Sequence, residues 1–308
     1  MSLPTSDDGT PPVLFEYHPN GIAACIFIAG FGLGTITHLV EMFWLRTWYF
    51  IPFLIGCIME TFSYYGRYWL SNRPQNFKAY VLYLLLNLPA PIFLAATMYM
   101  SIRRIIESLE ANELSPLRPS LMSKLFVFGD IVCFAVQMAG IGLSVTTSAS
   151  LQKTGGVVVV IGLVFQILVF LIFVLLVWKF FNRCRAQVGS DTIAWKSYIV
   201  ALLVASGLIV LRNLVQGIQH ASGKDSYIAT HEAFAYVFDA VPMLGVVCVF
   251  AAFHPGRLQR SLRKVKGSDA VEMQDVSGMG LREGLIPWEG ERRYEAHHSS
   301  RALSVRRG

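Results

Sequence analysis

Apolar residues fill seven long blocks of this chain, at 21–43, 48–66, 79–100, 125–146, 157–178, 198–217 and 233–253, and most Lys and Arg residues fall between or after them. Each block is close to the roughly 20 residues that a helix needs to cross the hydrocarbon of a bilayer. The pattern predicts an all-α integral membrane protein with seven transmembrane helices. Residues 1–20 are polar, with Asp7, Asp8 and Glu16 but no Lys or Arg. They lack the positive start of a signal peptide, and the block that follows is too long for its apolar region. Three parts are expected: an extracellular segment 1–20, a membrane domain 21–256, and a cytoplasmic tail 257–308. The tail is basic at first (RLQRSLRKVK) and then polar, irregular and disordered.

Charge sets the expected orientation. Fourteen Lys and Arg flank one side of the blocks, among them Arg46, Arg104, Arg183 and Arg257, against Arg67, Arg73, Lys78, Lys153 and Lys224 on the other. Positive flanks stay in the cytoplasm, so the N-terminus is expected outside and the C-terminus inside. Trp44, Trp48, Tyr65, Trp178 and Trp195 cluster near block ends, as interfacial aromatics do.

With 54% hydrophobic and 15% charged residues, the chain is too apolar for one soluble core of this length. A net charge of +6 raises the question of nucleic acid. The basic residues lie where topology places them, so that partner is set aside. Cys25, Cys57, Cys133 and Cys248 fall inside apolar blocks and read as packing residues rather than a disulfide or metal framework.

The informative residues are the polar ones at membrane depth, because lipid tolerates them only where protein answers them. The last block and its flanks, HEAFAYVFDAVPMLGVVCVFAAFHPG, carry Glu232 and Asp239 seven residues apart, on one helix face, with Pro242 following. Glu60 in block two lies about seven positions below the outer end, Arg212 in block six about eight, and Asp239 about seven, which places all three roughly 10–12 Å deep. One arginine facing two carboxylates would leave an acidic site suited to a cationic head group, whereas a fixed ion pair holding two helices together is the structural alternative. Gln216 extends the polar face of block six outward. A second level nearer the cytoplasm holds Asp130, with Gln137 on the same face and deeper. His38 and Glu41 lie late in block one, where they are expected to reach the interface. Gln166 reads as an interhelical hydrogen bond. Pro89 and Pro91, after Asn87, mark a kink or hinge whose freed carbonyls need partners, and Pro242 marks another.

Some chemistry is missing. No G-x-x-x-x-G-K-[ST], G-x-S-x-G or H-E-x-x-H occurs, so ATP-driven pumping within this chain is excluded and no catalytic residue or cofactor is expected. No two of His38, His220, His231 and His254 share a face at an i, i+4 spacing, so no metal site is expected either.

Several phrases in order carry a family resemblance: RTWYFIPF at 46–53, Tyr64 with Gly66 and Arg67, PAP at 89–91, KLFVFGD at 124–130, Gln137 with Gly140, and HE, YVFDAVPM and HPG around the last block. Over residues 20–256 the chain resembles the fungal lipid-translocating exporters, the family of sphingoid long-chain-base transporters and 7-aminocholesterol-resistance proteins. The resemblance implies a multi-pass plasma-membrane protein that exports or flips lipid-like amphiphiles and confers resistance to toxic ones. A porphyrin-handling branch exists as well. The expected partners are therefore membrane lipids and an amphipathic small molecule. The expected site is Glu60, Asp130, Gln137, Arg212, Gln216, Glu232 and Asp239. Two rival classes remain: a seven-helix receptor, although block three ends Ser101-Ile102-Arg103-Arg104 without an acidic-Arg-aromatic triplet, and an intramembrane enzyme using Asp130 and Asp239, whose opposite depths make this awkward.

Overall fold

A computed structural model of the chain describes residues 19–146, 148–187, 195–222 and 227–263. Most of the expected outer segment, and the tail from residue 264, lie outside these residues. Two compact units are distinguished, Met1–Ser261 and Leu262–Gly308. Of the second only Leu262 and Arg263 are described, both helical.

The first unit is all helical among the described residues. Helix α1 (Gly21–Leu45) starts at Asn20, whose Oδ1 accepts from the Ile22 and Ala23 amides at 2.9 and 3.2 Å. Such a cap answers two of the four free amides at a helix start. Arg46 ends the helix in a left-handed conformation, a single 3₁₀ turn follows, and Pro52 opens α2 (Ile51–Asn72). Asn76 caps α3 (Phe77–Asn87) in the same way. The chain breaks at Leu88 and Pro89 and resumes as α4 (Ala90–Ser108). Then come α5 (Pro119–Ser144), α6 (Ala149–Gln187), α7 (Trp195–Ala221) and two short pieces, α8 (Tyr227–Thr230) and α9 (Glu232–Ala235). A π-helical turn over Tyr236–Ala240 leads into α10 (Val241–Ala252), and residues 255–261 are again helical.

Among the described residues, six stretches are long and apolar enough to cross a membrane: Gly21–Leu45, Phe77–Ser108, Pro119–Ser144, Ala149–Gln187, Trp195–Ala221 and Glu232–Arg263. The second expected span is present as α2, 22 residues long, but it is more polar than the rest and packs against α1, α3 and α4. Several helices outrun their apolar blocks. Hydrogen bonding continues past the point where hydrophobicity ends, and α6, with 39 residues, is about 58 Å long against a hydrocarbon core of about 30 Å.

Consecutive long helices are neighbours in the bundle, and α10 packs on both α7 and α1. One end of the bundle gathers Tyr49, Arg104 and Gln259, with the Arg104 guanidinium 4.3 Å from the Tyr49 ring and Gln259 Nε2 donating to the Tyr49 hydroxyl at 3.1 Å. The opposite end gathers Asn20, Glu232 and Tyr236. The outer surface exposes Ile22, Ile36, Phe128, Ile131, Ile161 and Leu175, side chains suited to hydrocarbon rather than water. At the α5–α6 crossing the backbones nearly touch. A Cβ on Gly155 would lie 2.5 Å from the Ser144 amide nitrogen and 2.6 Å from the Gly140 carbonyl, so only glycine fits there.

Candidate functional site

The deepest polar cluster is assembled by two broken helices. A helix carbonyl normally accepts from the amide four residues on, and for Asn87 that residue is Pro91, which has none. The Arg212 side chain supplies the missing donor: its Nη2 lies 2.7 Å from the Asn87 carbonyl oxygen. Its Nε donates to Asp239 Oδ1 at 2.6 Å, and Nη1 to Asn213 Oδ1 at 3.4 Å. Asp239 sits in the π-helical turn immediately before Pro242, where the Val241 amide bonds back to the Tyr236 carbonyl, five residues away. Its second oxygen accepts from Asn87 Nδ2 at 2.8 Å and from the Tyr64 hydroxyl at 3.5 Å. Ser63 Oγ donates to Asn87 Oδ1 at 3.2 Å. The freed carbonyl expected at the proline pair thus has its partner, and the ion pair expected from matched depth is in direct contact.

Glu60 is different. It is 0% exposed and feels the charges of both Asp239 and Arg212, yet neither of its oxygens has a hydrogen-bond partner among the described residues. A buried carboxyl group in that position must hold a proton or meet a cation, because leaving it bare is costly. Gln216 is buried one turn outward on α7, and its carbonyl oxygen lies 2.9 Å from His220 Nδ1.

A second cluster lies toward the Asn20 end. Glu232 does not share a partner with Asp239. It pairs with Arg67, whose Nη2 is 3.3 Å from Glu232 Oε1, and the same oxygen accepts from the Asn20 amide at 2.7 Å. The two acids have separate partners, yet both meet α2, Glu232 through Arg67 and Asp239 through Tyr64 three residues earlier. Arg67 also donates to the hydroxyls of Tyr236 and Tyr83 at 3.2 and 3.3 Å. Its guanidinium lies 4.8 Å from the Tyr236 ring centroid. Arg67 was expected as a flanking charge at the membrane surface; it is buried instead, because Glu232 and two tyrosines replace its hydration. Stacked rings bridge the two clusters: Phe27 on Tyr236 at 5.4 Å and Phe31 on Tyr64 at 5.6 Å.

Asp130 and Gln137 form no joint site. Gln137 Nε2 donates to Gln166 Oε1 at 2.8 Å, so both are tied up in an interhelical hydrogen bond between α5 and α6. Asp130 is buried beside the Tyr99 hydroxyl on α4, and neither of its oxygens completes a hydrogen bond of normal geometry. His38 and Glu41 are buried too, at 0% and 5% exposed, rather than reaching an interface. Arg257 covers them, pairing with Glu41 Oε1, while His254 packs over Phe50 with ring centroids 4.1 Å apart. The expectation that no histidines cooperate considered one helix at a time, whereas His38 and His254 come from opposite ends of the sequence.

The family described as RTA1 like protein matches residues 53–261. Among curated relatives, protoporphyrin uptake protein 1 of Saccharomyces cerevisiae is 31% identical over an alignment covering 81% of this chain and 93% of that protein. The sphingoid long-chain base transporter RSB1 of the same yeast is 25% identical, over 73% of this chain and 69% of that protein. The probable lipid transporter atnI of Emericella nidulans is 26% identical, over 84% and 73%. No solved structure matches.

Proposed function

This chain belongs to the RTA1-like protein family, and from that premise we propose that it is a plasma-membrane transporter or floppase for amphipathic, lipid-like molecules, sphingoid bases foremost, whose export confers resistance. The observation that carries this reading is Glu60: a fully buried carboxyl group with no hydrogen-bond partner among the described residues, next to an Arg212–Asp239 pair that already satisfies itself. A primary amine on a lipid-like molecule has the charge and the three donors that Glu60 lacks. The aromatic faces of Tyr64, Phe27 and Tyr236 between the outer cluster and the pair suit the passage of a cation. The seven helices span the bilayer with the Asn20 end outside and the Arg257 end in the cytoplasm, following the excess of positive flanks.

A second reading, porphyrin transport, is favoured by the higher identity to the relative named for protoporphyrin uptake. Porphyrin carboxylates call for a free cation, whereas Arg67 and Arg212 each already face a carboxylate. The site therefore favours the amine. The test is efflux from cells of a labelled sphingoid base, an uncharged long-chain alcohol and protoporphyrin, each normalised to surface protein. In the Glu60→Gln variant the base alone is expected to be lost. Equal loss of all three, or loss of none, rejects Glu60 as the group that reads charge.

A further inference from the structure

We propose that His38, Glu41 and His254 form a binding site for a divalent transition-metal ion of the zinc type, at the end of the bundle where α1 meets the turn after α10. Each of the three offers one ligand atom within 4.8 Å of the others, and all three residues are buried. Three polar atoms converge there without hydrogen-bond partners among the described residues: His38 Nδ1, Glu41 Oε2 and His254 Nε2. Buried polar atoms are almost always paired, so three orphans facing one point call for a missing occupant.

The surrounding contacts narrow its chemistry. His38 Nε2 lies 3.1 Å from the Val247 carbonyl, which can only accept, so Nε2 carries a proton and the neutral ring keeps its lone pair on Nδ1. That lone pair faces Glu41 Oε2 at 3.4 Å, two acceptors that a cation between them would reconcile. A histidine that ligates through one nitrogen and donates the other to a backbone carbonyl is the usual arrangement at metal sites. Glu41 Oε1 is held by Arg257, which orients the carboxylate and leaves Oε2 free. Two imidazoles and a carboxylate are a donor set suited to zinc. His254 has to change its hydrogen bonding to engage. Its Nδ1 accepts from the Gly256 amide at 3.1 Å, so its proton sits on Nε2 and must shift to Nδ1, breaking that contact, when the ion binds. The ion would fasten the end of α1 to the segment after α10, and Phe50 and Phe53 against the two imidazoles would exclude competing water.

The experiment uses the full chain, purified in detergent through a tag free of histidine, stripped with a chelator and titrated with Zn²⁺ and with Co²⁺. About one ion per chain is expected, with a Co²⁺ visible spectrum of nitrogen and oxygen ligation and no thiolate band. His38→Ala, Glu41→Ala and His254→Ala should each weaken binding by more than about 10-fold, the loss that even supporting residues around a metal produce. Where one of these fails to fold, His254→Cys keeps three ligands and should add a thiolate charge-transfer band to the Co²⁺ spectrum. Unchanged stoichiometry in the triple alanine variant would assign the ion to other histidines, such as His297 and His298 in the tail, and overturn the site. So would a folded wild-type chain that takes up no ion, or a folded His254→Cys variant without the new band.

Discussion

Removing either partner of the Arg212–Asp239 pair tests the central cluster, and the two removals are not equivalent. Arg212→Ala leaves Asp239 with Asn87 Nδ2 at 2.8 Å and Tyr64 at 3.5 Å, and a carboxylate can also take up a proton. It also orphans the Asn87 carbonyl, which has no helix amide to return to because residue 91 is proline. Asp239→Ala leaves a guanidinium that cannot lose its charge, held only by the Asn87 carbonyl and Asn213. Breaking a buried pair costs about 3–5 kcal/mol, a large share of the 5–15 kcal/mol that typically holds a fold together. For a helical domain of this size that corresponds to a fall in melting temperature of roughly 6–20 °C.

Glu60 makes the sharper distinction. In the wild type it is spare, so Glu60→Gln should leave thermal stability within about 0.5 kcal/mol or raise it, since a buried acid without a partner is removed. In the Asp239→Ala background the same carboxylate becomes the nearest counter-charge for Arg212. There Glu60→Gln should cost a further 2 kcal/mol or so, a coupling of the size that residues sharing one network show. The assay is a thermal series on detergent-solubilised fluorescent fusions, reading the monodisperse fraction at each temperature. An additive Glu60→Gln effect in the two backgrounds would refute the shared network. So would melting points of Arg212→Ala and Asp239→Ala that fall by less than about 2 °C.

Other expectations follow from single contacts. Exchanging the charges, Arg212→Asp with Asp239→Arg, should recover only part of the loss, because Asn87 Nδ2 would then face a cation; a double variant no better than the worse single one would argue against a direct pair. Gly155→Ala should cost about 1–3 kcal/mol by forcing α5 and α6 apart, whereas Gly156→Ala, with nothing within 4 Å of the new Cβ, should be silent in the same melting assay. For orientation, a cysteine at Ser148 should react with an impermeant thiol reagent on intact cells, and one at Glu113 only after permeabilisation; the reverse pattern would invert the proposed topology. Arg67→Ala should loosen the Asn20 end, lowering stability by about 2–4 kcal/mol, since Glu232 would lose its charged partner.

Hydrophobic blocks made the helices legible from sequence, and depth arithmetic placed Arg212 opposite Asp239. Both are local or one-dimensional facts. The position of Arg67 was not legible, because a Lys or Arg near a block end reads as a topological flank unless its partner is known, and that partner, Glu232, lies 165 residues away. Asn87 was visible only as a residue ahead of two prolines. Counting four residues from its carbonyl to Pro91 would have shown that it needed an external donor. The π turn before Pro242 had no sequence signal beyond the proline. The His38–His254 contact escaped because spacing rules compare residues within one helix, whereas this one joins α1 to the turn after α10.

The two helix breaks and the charge pair are one mechanical unit. Pro91 frees the Asn87 carbonyl, Arg212 fills it, and the same guanidinium holds Asp239, which the π turn before Pro242 carries. α3, α7 and the π turn are therefore joined through a single side chain, and Asn87 closes the loop by donating to Asp239 from its own amide. Displacing any one of the three elements must either carry the others along or break a charged hydrogen bond in a low-dielectric interior, which is costly. On the proposed reading, a cationic amphiphile arriving at Glu60 would place a new positive charge within the field of that pair. It would weaken the hold of Arg212 on Asp239 by competing for the carboxylates, and the two proline breaks are where the backbone can yield without losing helix hydrogen bonds. On the proposed reading, substrate binding and helix movement are coupled through Arg212, and a variant that keeps the pair but loses Glu60 should fold normally and fail to respond to the amine.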